Sequence, residues 1–572
     1  MSTRYITNNA ATGTGSLYEA IKNAQEWDLI TPDPDVFPPG SVVDITIANF
    51  LPFTVPVTID AGATRIVINR SSFALVGDRT STAYVKGFNA RGVTFNGRVL
   101  LVGESSTNRI ECVFSKCVFS CNGKTYISMQ CNGYCDVIAE DCAFIGGLNR
   151  GIYITGEGNT LTLNRCTIAA NKRNTTATGT FTDCIVDPDL TASPFRNVPT
   201  SIDEYNELNP TPYNEWDFTP TLESGYAEGA TTAAGGYDLD GLERGRVLED
   251  GSTVYALGAY ECIDAAFWAG SDAEGNPITE PRFNSGAGWS SLRNATNGNL
   301  DAAPDKCVVV NKRVAFSDAP SITSLRIANA SVTLNGAGGV IQQTYLDEGG
   351  ELINSAADIY YLESAEYAAY SGDWAKVDNA RIKANGSITV DESTQFNSLT
   401  IEEGATVELA DGVLVGAEKM SVNGGTIRAN ARAYLGVPKD EPVDAATFEN
   451  IVIVERSASL TDFKAYSDVT GKITFAVTSL NTDARFLIEE LTPLGWATIT
   501  TEGTSETTTQ ASYPGLVVYR ACDGVNFLQD VAIVPLPVWI TTAWAENRGG
   551  GEVAGGKAWK VGAWAVDPQT TN

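Results

Sequence analysis

The chain has 572 residues, with 39 Lys and Arg against 69 Asp and Glu, a net charge of −30, and no histidine. A surface this acidic repels nucleic-acid phosphates and anionic lipid, so neither is an expected partner. Without histidine there is no Ser-His-Asp or Cys-His catalysis and no His-ligated zinc or haem. Chemistry would fall to carboxylates, Lys, Arg, Tyr or a hard cation such as calcium.

The length suits two to four domains. The composition, with 54 Gly, only 3 Met and many Thr, Val, Ile and Asn, favours strands and tight turns over helices. No apolar stretch reaches the 18 residues of a membrane span, and the opening MSTRYITNNA lacks the apolar core of a secretory leader.

One helix is readable near the start. Leu17, Ala20, Ile21 and Ala24 fall at helical spacing, with Ser16 as N-cap. Short strands split by Gly, Asn and Asp follow, as in 42–47, 55–59 and 65–69.

Residues 84–190 hold an internal repeat anchored on Gly92, Cys117, Cys142, Cys166 and Cys184, about 18–25 residues apart. Two residues after each anchor come Thr94, Phe119, Phe144, Ile168 and Val186. Three before come Asn89, Phe114, Ala139, Leu163 and Phe181. That period fits one solenoid turn per repeat, with equivalent residues stacked at the spacing of neighbouring strands. Cys117, Cys142, Cys166, Cys184, Phe119, Phe144 and Ile168 are then an inward ladder, the cysteines acting as small apolar thiols.

Residues 187–262, rich in Pro, Asn, Asp and Tyr, read as an irregular wrap that breaks the repeat. Strand patterns resume near 305, and lengthen from about 470. The expected organisation is a β-helix with its cap and wrap over 1–262, a linker over 263–304, a second β-solenoid over 305–465 and a C-terminal β domain over 466–572.

Three ordered pieces carry a resemblance. Gly15-Ser16-Leu17-Tyr18-Glu19-Ala20-Ile21 with Asp28-Leu29-Ile30 resembles a capping-helix opening, GSLxxAI…DxI. The Cys-anchored coils resemble the body that follows it. Asp238-Leu239-Asp240-Gly241-Leu242-Glu243-Arg244 with Leu257-Gly258-Ala259-Tyr260-Glu261 resembles a DxDGxxR…GAYE ending. Together they are similar to bacterial secreted and cell-surface right-handed parallel β-helix proteins. The resemblance implies an all-β fold with an N-terminal capping helix and an extracellular or cell-surface location. Members of that group include adhesins, structural surface proteins and polysaccharide-degrading enzymes.

The position before each anchor reads Arg91, Lys116, Asp141, Arg165 and Asp183, a column of charges. As chemistry, Asp141 and Asp183 form an acid pair two rungs or roughly 9.6 Å apart, at the edge of inverting glycosidase geometry. As structure, they are exposed ion pairs worth roughly 0–1 kcal/mol each. Arg165 between them lowers the pKa that a general acid needs raised, so the structural reading is preferred. The pairs Asp33/Asp35, Asp187/Asp189 and Asp238/Asp240 are spaced to share an oxygen-ligand site for calcium, or to make Asx turns. No other cofactor is expected.

Four of the ten Trp are Trp539, Trp544, Trp559 and Trp564, with glycine clusters between them. Trp559, Val561, Trp564 and Val566 lie on a strand-like segment that either closes the last domain or joins another subunit by strand addition. The expectation is a non-catalytic extracellular structural or adhesive protein that forms a homo-oligomer or polymer, with a cell-surface or carbohydrate partner. The alternatives are a carbohydrate-active β-helix enzyme, lyase or hydrolase, and a phage tail fibre or spike.

Overall fold

The computed structural model describes residues 2–535, apart from 48–50, 52, 54, 70–86, 104, 108, 121–126, 146–149, 170–178, 187–194, 198–216, 231–235, 249–251, 294, 319, 337, 440, 442, 444–445 and 513. The protein is nearly all β, 2% helical, with about 16 turns of parallel β-solenoid. It divides into two compact units, Met1–Lys376 with Asn385–Ile388, and Val377–Ala384 with Thr389–Asn572.

In the first unit, helix α1 spans Leu17–Lys22. Ser16 is extended and its side chain accepts from the Glu19 amide at 3.2 Å, satisfying one of the open N–H groups of the first turn. Leu17 and Ile21 are buried in the same core as the coils that follow.

Those coils give strands in turn to three parallel sheets. The first sheet has eight strands, from Thr3–Ile6 and Asp28–Pro32 through to Thr160–Asn164 and Thr180–Thr182. The second has seven, from Val42–Thr46 to Ile185–Val186, and the third has three. Strand residues alternate buried and open, as in Ile110–Ser115, so every coil sends one face inward.

The ladder lies inside. Phe95, Phe119, Phe144, Ile168 and Val186 pair in register from coil to coil. The Phe119 and Phe144 rings stack 4.6 Å apart at 5°. Cys117, Cys142 and Cys166 are buried free thiols and Cys184 a half-buried one. Burial and the neighbouring thiols push Cys142 well above the ordinary thiol range.

The first rung departs from the sequence alignment by one residue. Val118 pairs with Thr94 and Phe119 with Phe95, which sets Gly92 opposite Lys116 rather than Cys117. Ala90, not Asn89, is the partner of Phe114. The cause is the corner before each inward strand, where the chain turns through positive φ: 69° at Gly92, 53° at Lys116, 51° at Asp141, 50° at Arg165 and 51° at Asp183. Glycine enters that region without steric cost, so Gly92 is a corner residue.

The stretch expected as a linker is packed. Ala266–Trp268 pairs in parallel with Lys306–Val310, and Trp268 meets Trp289 and Phe316 with ring centroids 5.1 and 5.0 Å away. Further parallel coils follow from Lys306–Val310 to Asp358–Ser364, beside a four-stranded sheet from Arg313–Phe316 to Ala369–Gly372. Their corners also take positive φ, 52° at Asn311, 44° at Asn329, 65° at Gly349 and 59° at Tyr367.

In the second unit, parallel pairing continues through Thr394–Ile401, Leu414–Val422, Thr426–Pro438 and Thr447–Arg456. Pairing becomes antiparallel from Leu460–Ser467 onward. Phe463, Phe475, Phe486 and Tyr519 form the core of the two antiparallel sheets.

Two predictions follow from this packing. Phe144→Ala removes a stacked, fully buried ring and should cost roughly 3–5 kcal/mol in denaturant unfolding. The second concerns Asp28, whose carboxylate takes the Gln25 and Ser2 amides, each at 2.9 Å, together with the Ser2 hydroxyl and the Arg4 guanidinium. The two amides above all hold its pKa far below the usual carboxylate range. A depressed carboxylate adds stability above its ordinary pKa of about 4, and that stability is lost as pH falls. The stability gap between the native chain and Asp28→Asn should therefore narrow as pH is lowered from about 6 to about 2.

Candidate functional site

The corner column of the first coils is where the sequence concentrates charge, and the first unit closes over it. Asp141 is 4% exposed. Its carboxylate accepts from Arg165 Nε at 2.9 Å and from Arg244 Nη2 at 2.7 Å and Nε at 3.1 Å. Asp183 is also buried, and its backbone carbonyl accepts from the Gly258 amide at 2.8 Å. These charges were expected to form exposed ion pairs. They are covered instead, because the segment carrying Arg244 and Gly258 lies on the corner.

Glycine makes that approach close. Gly258 has φ +83°, and a Cβ there would stand 2.5 Å from Thr167 Oγ1 and 2.8 Å from Ile185 Cδ1. Gly241, at φ +86°, sits equally tight against Asn329, whose Nδ2 would be 2.6 Å from a Cβ. The glycines of both closing motifs are thus positions where backbone meets backbone or a buried side chain.

Asp238 and Asp240 do converge on one cation, and it is a guanidinium. Arg293 Nη1 lies 2.6 Å from Asp238 and 3.4 Å from Asp240, with the Arg293 side chain fully buried. Asp238 further accepts the amides of Asp240, Leu242 and Glu261, each at 3.0 Å. Asp240 also takes Arg65 at 3.1 Å and Asn311 Nδ2 at 3.0 Å. Burial raises the Asp240 pKa, and the guanidiniums of Arg293 and Arg65 oppose that rise. Glu261 accepts from Cys262, Ala256 and Gly245 amides, and burial raises it too.

Glu348, from a later coil, receives both Arg91 and Lys116. The Asn329 side chain donates to the Asp240 carbonyl at 2.8 Å. The cavity among Arg65, Arg91, Lys116, Asn329 and Glu348 is about 10 Å3, room for a single water.

The arrangement brings together Asp141, Arg165, Asp183, Asp238 and Asp240. It leaves out Asp33, which instead accepts the Asp35 amide at 3.1 Å as an Asx turn. Asp187, Asp189, Trp559, Val561, Trp564 and Val566 lie outside the described residues. Arg293, Glu348 and Arg65 are members that sequence reasoning missed. Arg293 sits in the presumed linker, where its only signal was the need of two neighbouring aspartates for a counter-charge.

Chemically, the site holds its carboxylates against arginines and backbone amides. That is the chemistry of a fastening. No family model and no curated protein matches the chain.

Removing one partner of a buried pair leaves a charge stranded, at a cost of about 3–5 kcal/mol. Arg293→Met should lose that much stability in urea unfolding. Adding Asp238→Asn and Asp240→Asn to the same chain should recover part of the loss.

Proposed function

We propose that the protein is a non-catalytic, extracellular structural or adhesive surface protein that assembles with copies of itself. The observation that carries the reading is the state of its acids. Asp141, Asp238 and Asp240 are each neutralised by buried arginines, whereas a general acid or nucleophile must reach its substrate. In this reading the coils form a right-handed β-helix, α1 covers the open edge strand Thr3–Ile6, and the antiparallel strands form a terminal β domain.

The proposed contact between copies is the last antiparallel sheet. Leu516 and Ile533 are cross-strand partners, 73% and 53% exposed. Val518 pairs with Val531, which is 43% exposed, on the same face. The strand Phe527–Val534 ends that sheet's hydrogen-bonded order and packs against Leu460–Ser467, whose Ala465 amide donates to Asp530, so the proposed contact is the exposed apolar face and not the edge. The segment with Trp559, Val561, Trp564 and Val566 follows it in sequence and adds a second candidate for the same contact.

Two measurements test this. The full chain should show no turnover of pectin, alginate or glycosaminoglycan. Activity lost on Asp141→Asn or Asp183→Asn would establish the enzymatic alternative. In analytical ultracentrifugation the native chain should sediment as an oligomer or polymer. The pair Leu516→Lys and Ile533→Lys, or deletion of 552–572, should shift it to monomer with the fold retained. A native chain that stays monomeric at high concentration refutes the assembly.

A further inference from the structure

One cavity of the first unit opposes the charge of the chain, and it adjoins the ion network through Asn311, which lines it and donates to Asp240. It is an open depression with a volume of about 600 Å3, of the size that takes a small molecule. Its walls include Trp268, Ile278, Pro281 and Val314 on the apolar side, with Lys312 and Arg313 as the charged groups. Among the described residues no carboxylate lines it, although acids outnumber bases 69 to 39 in the whole chain.

The backbone builds this cavity rigidly. Gly40 has φ +75°, and a Cβ there would fall 2.7 Å from the Lys312 carbonyl and 2.9 Å from Ala330 Cα. One wall is therefore pressed against the coil that carries Lys312. The opposite wall is fixed by Trp268 packing on Trp289 and Phe316. The Lys312 ammonium donates to the Ala269 carbonyl. Among the described residues neither Lys312 nor Arg313 forms an ion pair, while Arg91, Arg165, Arg244, Arg293 and Arg326 all do.

We propose that this cavity is a binding site for a small organic carboxylate with an apolar body, held by Lys312 and Arg313 at its charged end and by Trp268, Ile278 and Pro281 along its length. A half-buried cation whose partner is a neutral carbonyl is still short of a counter-charge, and a ligand carboxylate supplies it with a charge-assisted hydrogen bond. The apolar walls favour a hydrocarbon or aromatic body over a bare inorganic anion. Burial alone depresses the Lys312 amine, to about 8, so a bound carboxylate would draw a proton onto it. The site is independent of the assembly reading, since it lies in the first unit and the proposed contact in the second.

Isothermal titration of the full chain with hexanoate and benzoate tests it, with hexanol and acetate as controls lacking charge or body. Both carboxylates should bind, and both controls should bind at least about tenfold more weakly. Lys312→Met should weaken hexanoate about tenfold or more, and the exposed Arg313→Gln should weaken it by a smaller factor with an unchanged melting temperature. At pH 8.5, repeating the titration in buffers of different ionisation enthalpy should show net proton uptake, which Lys312→Met abolishes. Equal affinity for hexanol and hexanoate, no binding of either carboxylate, or unchanged affinity in a folded Arg313→Gln chain together with no proton uptake in the native chain would overturn the proposal.

Discussion

A buried charge is tolerated only beside its counter-charge, and the first unit is organised around that constraint. Asp141, Asp238, Asp240, Glu261 and Glu348 are all under 5% exposed. Each would be untenable as an isolated anion in an interior of low dielectric. Their cations come from distant parts of the chain: Arg65, Arg91 and Arg165 from the first coils, Arg244 from the closing segment and Arg293 from the stretch before the later coils. Closing the network therefore requires all of these segments to be in place at once. A solenoid coil touches mainly its neighbours, and this network supplies the long-range coupling that stacked coils lack.

The corners make the network possible. An inward-facing strand position must be apolar, and the corner where the chain turns is one place where charge can leave the coil. A turn through positive φ suits glycine, asparagine and aspartate, and it is uncommon for arginine or lysine. Lys116 and Arg165 nevertheless occupy it, at φ of 53° and 50°. Strain of that kind is held by the surroundings, and here the surroundings are the ion pairs that these same side chains make. In the later coils the equivalent turns carry Asn311, Asn329, Gly349 and Tyr367. Asn311 and Asn329 also use their side chains to reach Asp240.

The interior of the first coils was legible in the sequence because a ladder repeats. Phe119, Phe144 and Ile168 stand at equal distances from Cys117, Cys142 and Cys166, and stacking in register turns equal spacing into contact. The slip at Gly92 shows the limit of that logic. Glycine served as a stand-in for cysteine in the alignment, whereas its role is the backbone angle of the preceding corner, which composition does not encode. The ion network was half legible. Asp141 and Arg165 were visible as a column, and Asp238, Asp240, Arg244 and Glu261 as a motif. That the motif lies on the column was not readable, because Arg244 and Asp141 are separated by 103 residues and no periodicity links them. Arg293 and Lys312 carried no pattern at all. Their roles come from burial, which only the folded chain defines.

The internal use of arginine also bears on the surface. Of 39 basic residues against 69 acidic ones, several arginines are spent inside, Arg244, Arg293 and Arg520 among them. An arginine sealed beside an aspartate removes one charge of each sign, so the buried pairs do not change the sign of the exterior. Like-charged copies repel at long range, and salt screens that repulsion within about 10 Å at 0.1 M. The proposed contact between copies must then rest on an uncharged face, and the Leu516–Ile533 face is apolar on both of its strands. Such a contact strengthens as salt is added, the opposite of one built on exposed ion pairs. The same excess would set the selectivity of the site proposed at Lys312 and Arg313. Against a negative exterior an anion gains entry only where local cations and apolar walls outweigh the field of the whole chain, which favours a ligand carrying both a single charge and an apolar body over one carrying charge alone.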